Sequence, residues 1–152
     1  MVTVVVIGII SALAAPSFDR SIDRIKFRSQ NKEILSMMRT ARSLAISEKV
    51  PHGVHFDGNS MVITLFKDSN NPLGSSYEAG QDTLIACDTL SSTFVYLHAA
   101  LSTSAVVYQP NGSASESGTV LLISADGNSV NSSQLSVLAS TGRSRIDNMT
   151  YY

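Results

Sequence analysis

The sequence predicts an α+β fold, in which one long N-terminal helix packs against an antiparallel β-sheet domain. Residues 17–49 contain neither Gly nor Pro and space their apolar side chains at helical intervals. From His52 onward, short apolar segments alternate with Asp-Gly, Asn-Gly and other polar turn signals. A helix followed only by strands favours a helix lying on a sheet over a βαβ succession. The chain has 152 residues, enough for one domain with its own core. It divides at residues 1–18, 19–50 and 51–152.

Residues 1–18, MVTVVVIGIISALAAPSF, carry no charge, and 13 of the 18 are apolar. As a helix they would span about 27 Å, slightly short of a bilayer core of about 30 Å. A secretory signal is disfavoured because no basic stretch precedes the apolar run. A buried strand over Val4–Ile7 is disfavoured by the Ala-rich second half. The segment is therefore expected to be a membrane-embedded helix, weakened at Gly8 and kinked near Pro16. The basic residues after it would ordinarily mark a cytoplasmic flank.

Residues 19–50 continue that helix as an amphipathic one. Phe18, Ile22 and Ile25 form one apolar run, and Phe27, Ile34, Met38, Ala41 and Ala45 form another. Pro51 stops the helix and holds Val50 away from helical backbone angles. Residues 51–152 read as the β-rich domain. His52–Phe66 is expected to be a hairpin turning at Asp57-Gly58-Asn59. A polar loop over 67–81 follows, with shorter strands expected at 83–86, 92–98, 104–109, 118–124 and 134–139. Turns are expected at Asn111-Gly112 and Asp126-Gly127.

The net charge of −1 hides a strong partition. Residues 19–50 carry eight basic against four acidic side chains, residues 51–142 carry Lys67 against seven acids, and the last ten carry Arg143 and Arg145 against Asp147. Charged residues are only 15% of the chain, and the average balance argues against a generally basic nucleic-acid binder. Any such contact must be local. The basic residues of 19–50 read most simply as a solvated helix face.

Little else points to chemistry. His52 and His55 are spaced H-x-x-H beside Asp57, but in a strand they point to opposite faces, so a shared metal is not expected. They read as surface or strand-end histidines, and His98 is remote in sequence. Cys87, the single cysteine, reads as a small buried apolar residue, or else as a thiol for pairing with another chain. No nucleophile elbow, phosphate loop or dinucleotide fingerprint occurs, so neither an enzyme nor a cofactor is expected.

The informative polar motif is Gly142-Arg143-Ser144-Arg145. If extended, Arg143 and Arg145 leave the same face about 7 Å apart, near the spacing of successive phosphates. Guanidinium groups bind phosphate through paired, charge-assisted hydrogen bonds. Tyr151 and Tyr152 could stack on the bases of a single strand. The alternative is a turn Gly followed by two arginines paired with acids of the 51–142 block.

An apolar, Pro-kinked helix running into an amphipathic one and then a β-rich remainder resembles the type IV pilin and pseudopilin superfamily. The stretches Tyr108-Gln-Pro-Asn-Gly-Ser-Ala, Gly118-Thr-Val-Leu-Leu and Ser140-Thr-Gly-Arg-Ser-Arg145 are similar to its GspH/FimT branch, FimT in appearance above all. The resemblance implies a pilin-like fold, a single pass through the bacterial inner membrane by residues 1–18, and a periplasmic domain that moves outside with the filament. It implies other pilins or pseudopilins as partners, and DNA bound weakly at Gly142, Arg143 and Arg145 for uptake in natural transformation. A GspH-like role in type II protein secretion, or a purely structural assembly-priming role, are the alternatives it leaves. Such proteins begin with a basic leader, a cleavage-site Gly, a Phe and a Glu, none of which stands in this sequence ahead of the apolar run. The sequence is therefore expected either to start at an internal methionine or to lack its true N-terminus, and processing, methylation and Glu-mediated docking are assigned to no residue here.

Overall fold

In the computed structural model the described residues are 2–71, 74–126 and 129–152, with side chains described from Arg20 onward except that of Asp126. One helix, α1 (Val2–Glu48), precedes eight strands: β1 (His52–Asp57), β2 (Val62–Lys67), β3 (Thr83–Thr89), β4 (Phe94–Ala100), β5 (Ala105–Tyr108), β6 (Gly118–Asp126), β7 (Ser129–Leu138) and β8 (Arg143–Tyr151). Among the described residues no helix is long and apolar enough to cross a membrane. The side chains of residues 1–18, on which that reading and the Pro16 kink rest, lie outside the described ones.

The buried face of α1 follows the second apolar run. Phe27, Ile34, Met38, Ala41 and Ala45 are all buried, joined by Leu35 and by Asn31. Asn31 is satisfied by donating to the Phe27 carbonyl at 2.8 Å and accepting from the Ser133 hydroxyl. Ile22 and Ile25, from the first run, are exposed. The helix stops where Lys49 turns to a φ of 58°, and Pro51 follows, its carbonyl accepting from Asp68 N–H at 3.0 Å.

The strands form two four-stranded antiparallel sheets, ordered β3-β2-β1-β5 and β4-β6-β7-β8. The β1–β2 hairpin forms as expected, His52 pairing with Lys67 and Asp57 with Val62. Its turn is shaped by the Asp57 carboxylate, which accepts from Asn59 N–H at 2.9 Å and from Ser60. Those bonds hold the Asp57 pKa below the usual carboxylate range. Helix α1 lies on the inner side of both sheets, and the core joins Met38, Ala41 and Ala45 to Val54, Phe56, Ile63, Val106, Val120, Leu122 and Leu135.

Three expectations need correction. β8 was not expected as a strand, and it pairs with β7 over Asn131–Leu138. Cys87 is exposed, because β3 is an edge strand whose residues Thr83–Cys87 are bare on both faces. His52 begins β1 as a strand-end residue should, but it is buried, with Nδ1 2.8 Å from the Val50 carbonyl oxygen. The turn expected at Asp126-Gly127 reaches outside the described residues.

The loop 67–81 does more than connect. Its Tyr77 packs on Phe66 and His55, with ring centroids at 4.9 and 5.1 Å, and closes a second apolar cluster of Phe66, Ala105 and Val107. That cluster lies on the side of the β1-containing sheet facing away from the main core. Among the described residues the equivalent side of the β8-containing sheet has no such cover: along β7, Val130, Gln134 and Leu138 are exposed, while Ser129, Asn131, Ser133, Leu135 and Val137 between them are buried.

Candidate nucleic-acid interface

The two arginines are positioned by a tight turn and by the residue between them. After β7 the chain turns back at 139–142, where Gly142 N–H donates to the Leu138 carbonyl at 2.8 Å. Gly142 has a φ of 60°, and a Cβ there would stand 2.1 Å from the Gly112 carbonyl oxygen. Only Gly fits that backbone and that approach. The same Gly112 carbonyl accepts from Arg42 Nε at 2.9 Å. The Asn111-Gly112 turn and the Thr141-Gly142 turn therefore meet over one helix side chain. Gly142 is buried, so its part in the site is to shape the turn.

Strand β8 then alternates. Ser144 points inward and its hydroxyl lies 2.7 Å from the Tyr108 hydroxyl of β5, a buried hydrogen bond that joins the two sheets. Burial pushes the Tyr108 pKa up to about 12, against the opposing pull of the Ser144 bond and the Arg42 charge. With Ser144 fixed inward, Arg143 and Arg145 must both leave the outer face. Each is exposed. The arginines are on an edge strand, one side chain either side of an anchored serine.

The outer face at this point is a shallow hollow of about 300 Å³ lined by Ser136, Val137, Leu138, Arg143, Arg145 and Asp147. Arg145 Nε pairs with the Asp147 carboxylate, though the Arg145 side chain stays 63% exposed. Arg143 makes no ion pair among the described residues. The expected alternative, pairing with acids of 51–142, is thus replaced by a pair with the near neighbour Asp147. Five of those seven acids lie elsewhere: Asp57, Asp68, Glu78, Asp82 and Asp88 belong to the β1-containing sheet, its hairpin turn or the 67–81 loop and its end, while Glu116 accepts from Ser102 and Asp126 ends β6. Burial, with Asp82 and Glu78 nearby, raises the Asp68 pKa. A face carrying two guanidinium groups and one paired carboxylate can hold a phosphate anion.

The two tyrosines divide. Tyr151 turns to the helix, its ring 6.4 Å from Phe27 edge to face, with the Arg24 guanidinium 5.5 Å from its centroid. It is withdrawn from stacking on a ligand. Tyr152 is exposed. His52 and His55 do not meet: His52 is buried, and His55 is half-buried beside Tyr77, where desolvation lowers its pKa although the Asp57 charge opposes this. Among the described residues no three His, Cys, Asp or Glu side chains are grouped to hold a metal. Sequence reasoning missed the Ser144–Tyr108 bond, for which the R-S-R alternation was the one available hint.

Comparison with known proteins places this geometry in context. Residues 30–142 match the model of the family described as Type II transport protein GspH. That span ends at the turn glycine, so Arg143 and Arg145 lie just beyond it. No curated protein matches the chain. The fold is similar to the minor pseudopilin EpsH from the type 2 secretion system of Vibrio cholerae, with a TM-score of 0.58 and 12% identity over 79% of this chain and 94% of that one. It is also similar to the type IV minor pilin FimU of Pseudomonas aeruginosa, with a TM-score of 0.58 and 14% identity over 83% and 91% of the two chains.

Proposed function

The chain belongs to the GspH family, and from that premise we propose that it is a minor subunit of a type IV pilus that binds DNA through Arg143 and Arg145. In this reading residues 1–18 anchor the subunit in the bacterial inner membrane, the β-rich domain is periplasmic, and the subunit joins other pilins in a filament. The observation that carries the DNA contact is the outward pair of arginines on β8, held on one face by the inward Ser144. Two charges at about 7 Å suit two successive phosphates, and no base edge is read, so binding is weak and independent of sequence. The slope of log K against log salt is expected near about −1.8 for duplex DNA. Several subunits along a filament would raise the affinity.

The test is retardation of DNA by the full chain in a non-ionic detergent at low salt. Unrelated sequences should shift equally, and Arg143→Gln with Arg145→Gln should abolish the shift. An undiminished shift in that double variant removes the arginines from the role. The family description and the likeness to EpsH favour a second reading, a minor pseudopilin of type II protein secretion. Absence of any shift at low salt would select it.

A further inference from the structure

We infer that the whole outer face of the β4-β6-β7-β8 sheet is a track for single-stranded nucleic acid, with phosphates at Arg143 and Arg145 and a base on Tyr96 and His98 at the opposite edge. This rests on the phosphate role proposed above for the arginines, and adds the path and the strand selectivity. The register fixes the track. Tyr96 lies opposite Ile123 and Ile123 opposite Ser132; His98 lies opposite Leu121 and Leu121 opposite Gln134; Thr119 lies opposite Ser136 and Ser136 opposite Arg145. None of these side chains is buried, whereas the side chains that alternate with them, such as Leu97, Leu122, Ser133 and Ser144, are.

Charge and shape both suit a polyanion with open bases. The strands of this sheet carry Arg143 and Arg145, and the one carboxylate among their described side chains, Asp147, is already paired with Arg145. Between the edges the surface is Ser, Thr and Gln with Leu121, Ile123, Val130 and Leu138, a mixed floor that accepts sugar and base without repelling phosphate. At the β4 edge Tyr96 is 44% exposed, and its ring centroid lies 6.0 Å from that of His98 at an angle of 33°. Both rings border a hollow of about 510 Å³ that is also lined by Asn59, Ser104 and Asp57, whose carboxylate is engaged in its own turn.

Three interstrand spacings put the edges roughly 14 Å apart, a width over which a four-stranded sheet engages two or three bases. An unpaired strand can lay a base on the rings, because every base has a free face. A duplex keeps its bases stacked inside and reaches only the arginines. The track therefore favours single strands.

The test uses the full chain in non-ionic detergent and fluorescence anisotropy with two labelled probes, an oligodeoxythymidylate and a mixed-sequence duplex of equal length. The variant Tyr96→Ala with His98→Ala should weaken binding of the oligothymidylate about tenfold and leave duplex binding unchanged. Tyr96→Trp should restore or strengthen it. Arg143→Gln with Arg145→Gln should weaken both probes. Both altered rings are exposed, so unchanged circular dichroism and melting are expected. Wild-type affinity for the single strand in the β4 variant, or equal losses on both probes, would overturn the track while leaving the arginine role standing. If wild-type protein binds neither probe, the arginine role fails and the track falls with it.

Discussion

The two sheets share one helix and differ in what lies on their other side. The sheet containing β1 is covered twice, by α1 on the inside and by Tyr77 and the 67–81 loop on the outside, and β5 is buried along its whole length. The sheet containing β8 is covered once, and β7 shows the result as a strict alternation of buried and open positions. Five of the acids lie on the first sheet, its turn and its loop, whereas the second carries Arg143 and Arg145 beside Asp126 and Asp147. A surface that needs no cover for stability is free to carry a ligand, and a surface that has one is committed to the core.

The comparison can be broken at several points. The largest effect is expected where the helix grips the open sheet. Phe27 is 2% exposed and stacks on Phe94 at 5.5 Å, so Phe27→Ala should cost about 3–5 kcal/mol in urea unfolding. A loss below about 1 kcal/mol would mean that the helix does not organise this sheet. Next is the seam between the sheets. The Tyr108 hydroxyl is held protonated to about pH 12 in the folded chain, whereas in the unfolded chain it ionises near pH 10. The unfolded state thus releases its proton first, and the stabilising term, complete below pH 10, is lost as pH rises through 12. The expected loss is about 3 kcal/mol, and Tyr108→Phe should flatten the profile. A wild-type profile already flat between pH 9 and 11.5 would contradict it. The smallest effects contrast the outer faces directly. Tyr77→Ala should cost about 2 kcal/mol by uncovering Phe66, while Gln134→Ala on the open sheet should stay within about 0.5 kcal/mol. Equal costs would erase the distinction drawn between the sheets.

Much of this was legible in the sequence for physical reasons. The helix face from Phe27 to Ala45 follows from periodicity alone, and the Asp57-Gly58 signal located the hairpin. The arginines' shared face followed from strand alternation once extension was assumed. What escaped depended on neighbours remote in the chain. Cys87 sits in an apolar segment that reads as core, and only the sheet order reveals that β3 is an edge with nothing packed on it. The polar run of β8 offers no apolar alternation to mark it as a strand. Tyr77 as a cover, and Tyr151 as a partner of Phe27 and Arg24, are contacts between segments that no local pattern encodes.

The contact between Arg42 and Gly112 has a consequence for how the arginine face is assembled. It spans 70 residues, and the turn that launches β8 rests on the same carbonyl from another 30 residues on. Contacts so far apart in sequence cost more loop-closure entropy than the local contacts of a helix or a hairpin. A chain still folding would carry Arg143 and Arg145 on an unanchored tail with no fixed spacing. Their pairing on one face depends on contacts that join the helix and both sheets, so it exists only in a chain where all three have come together.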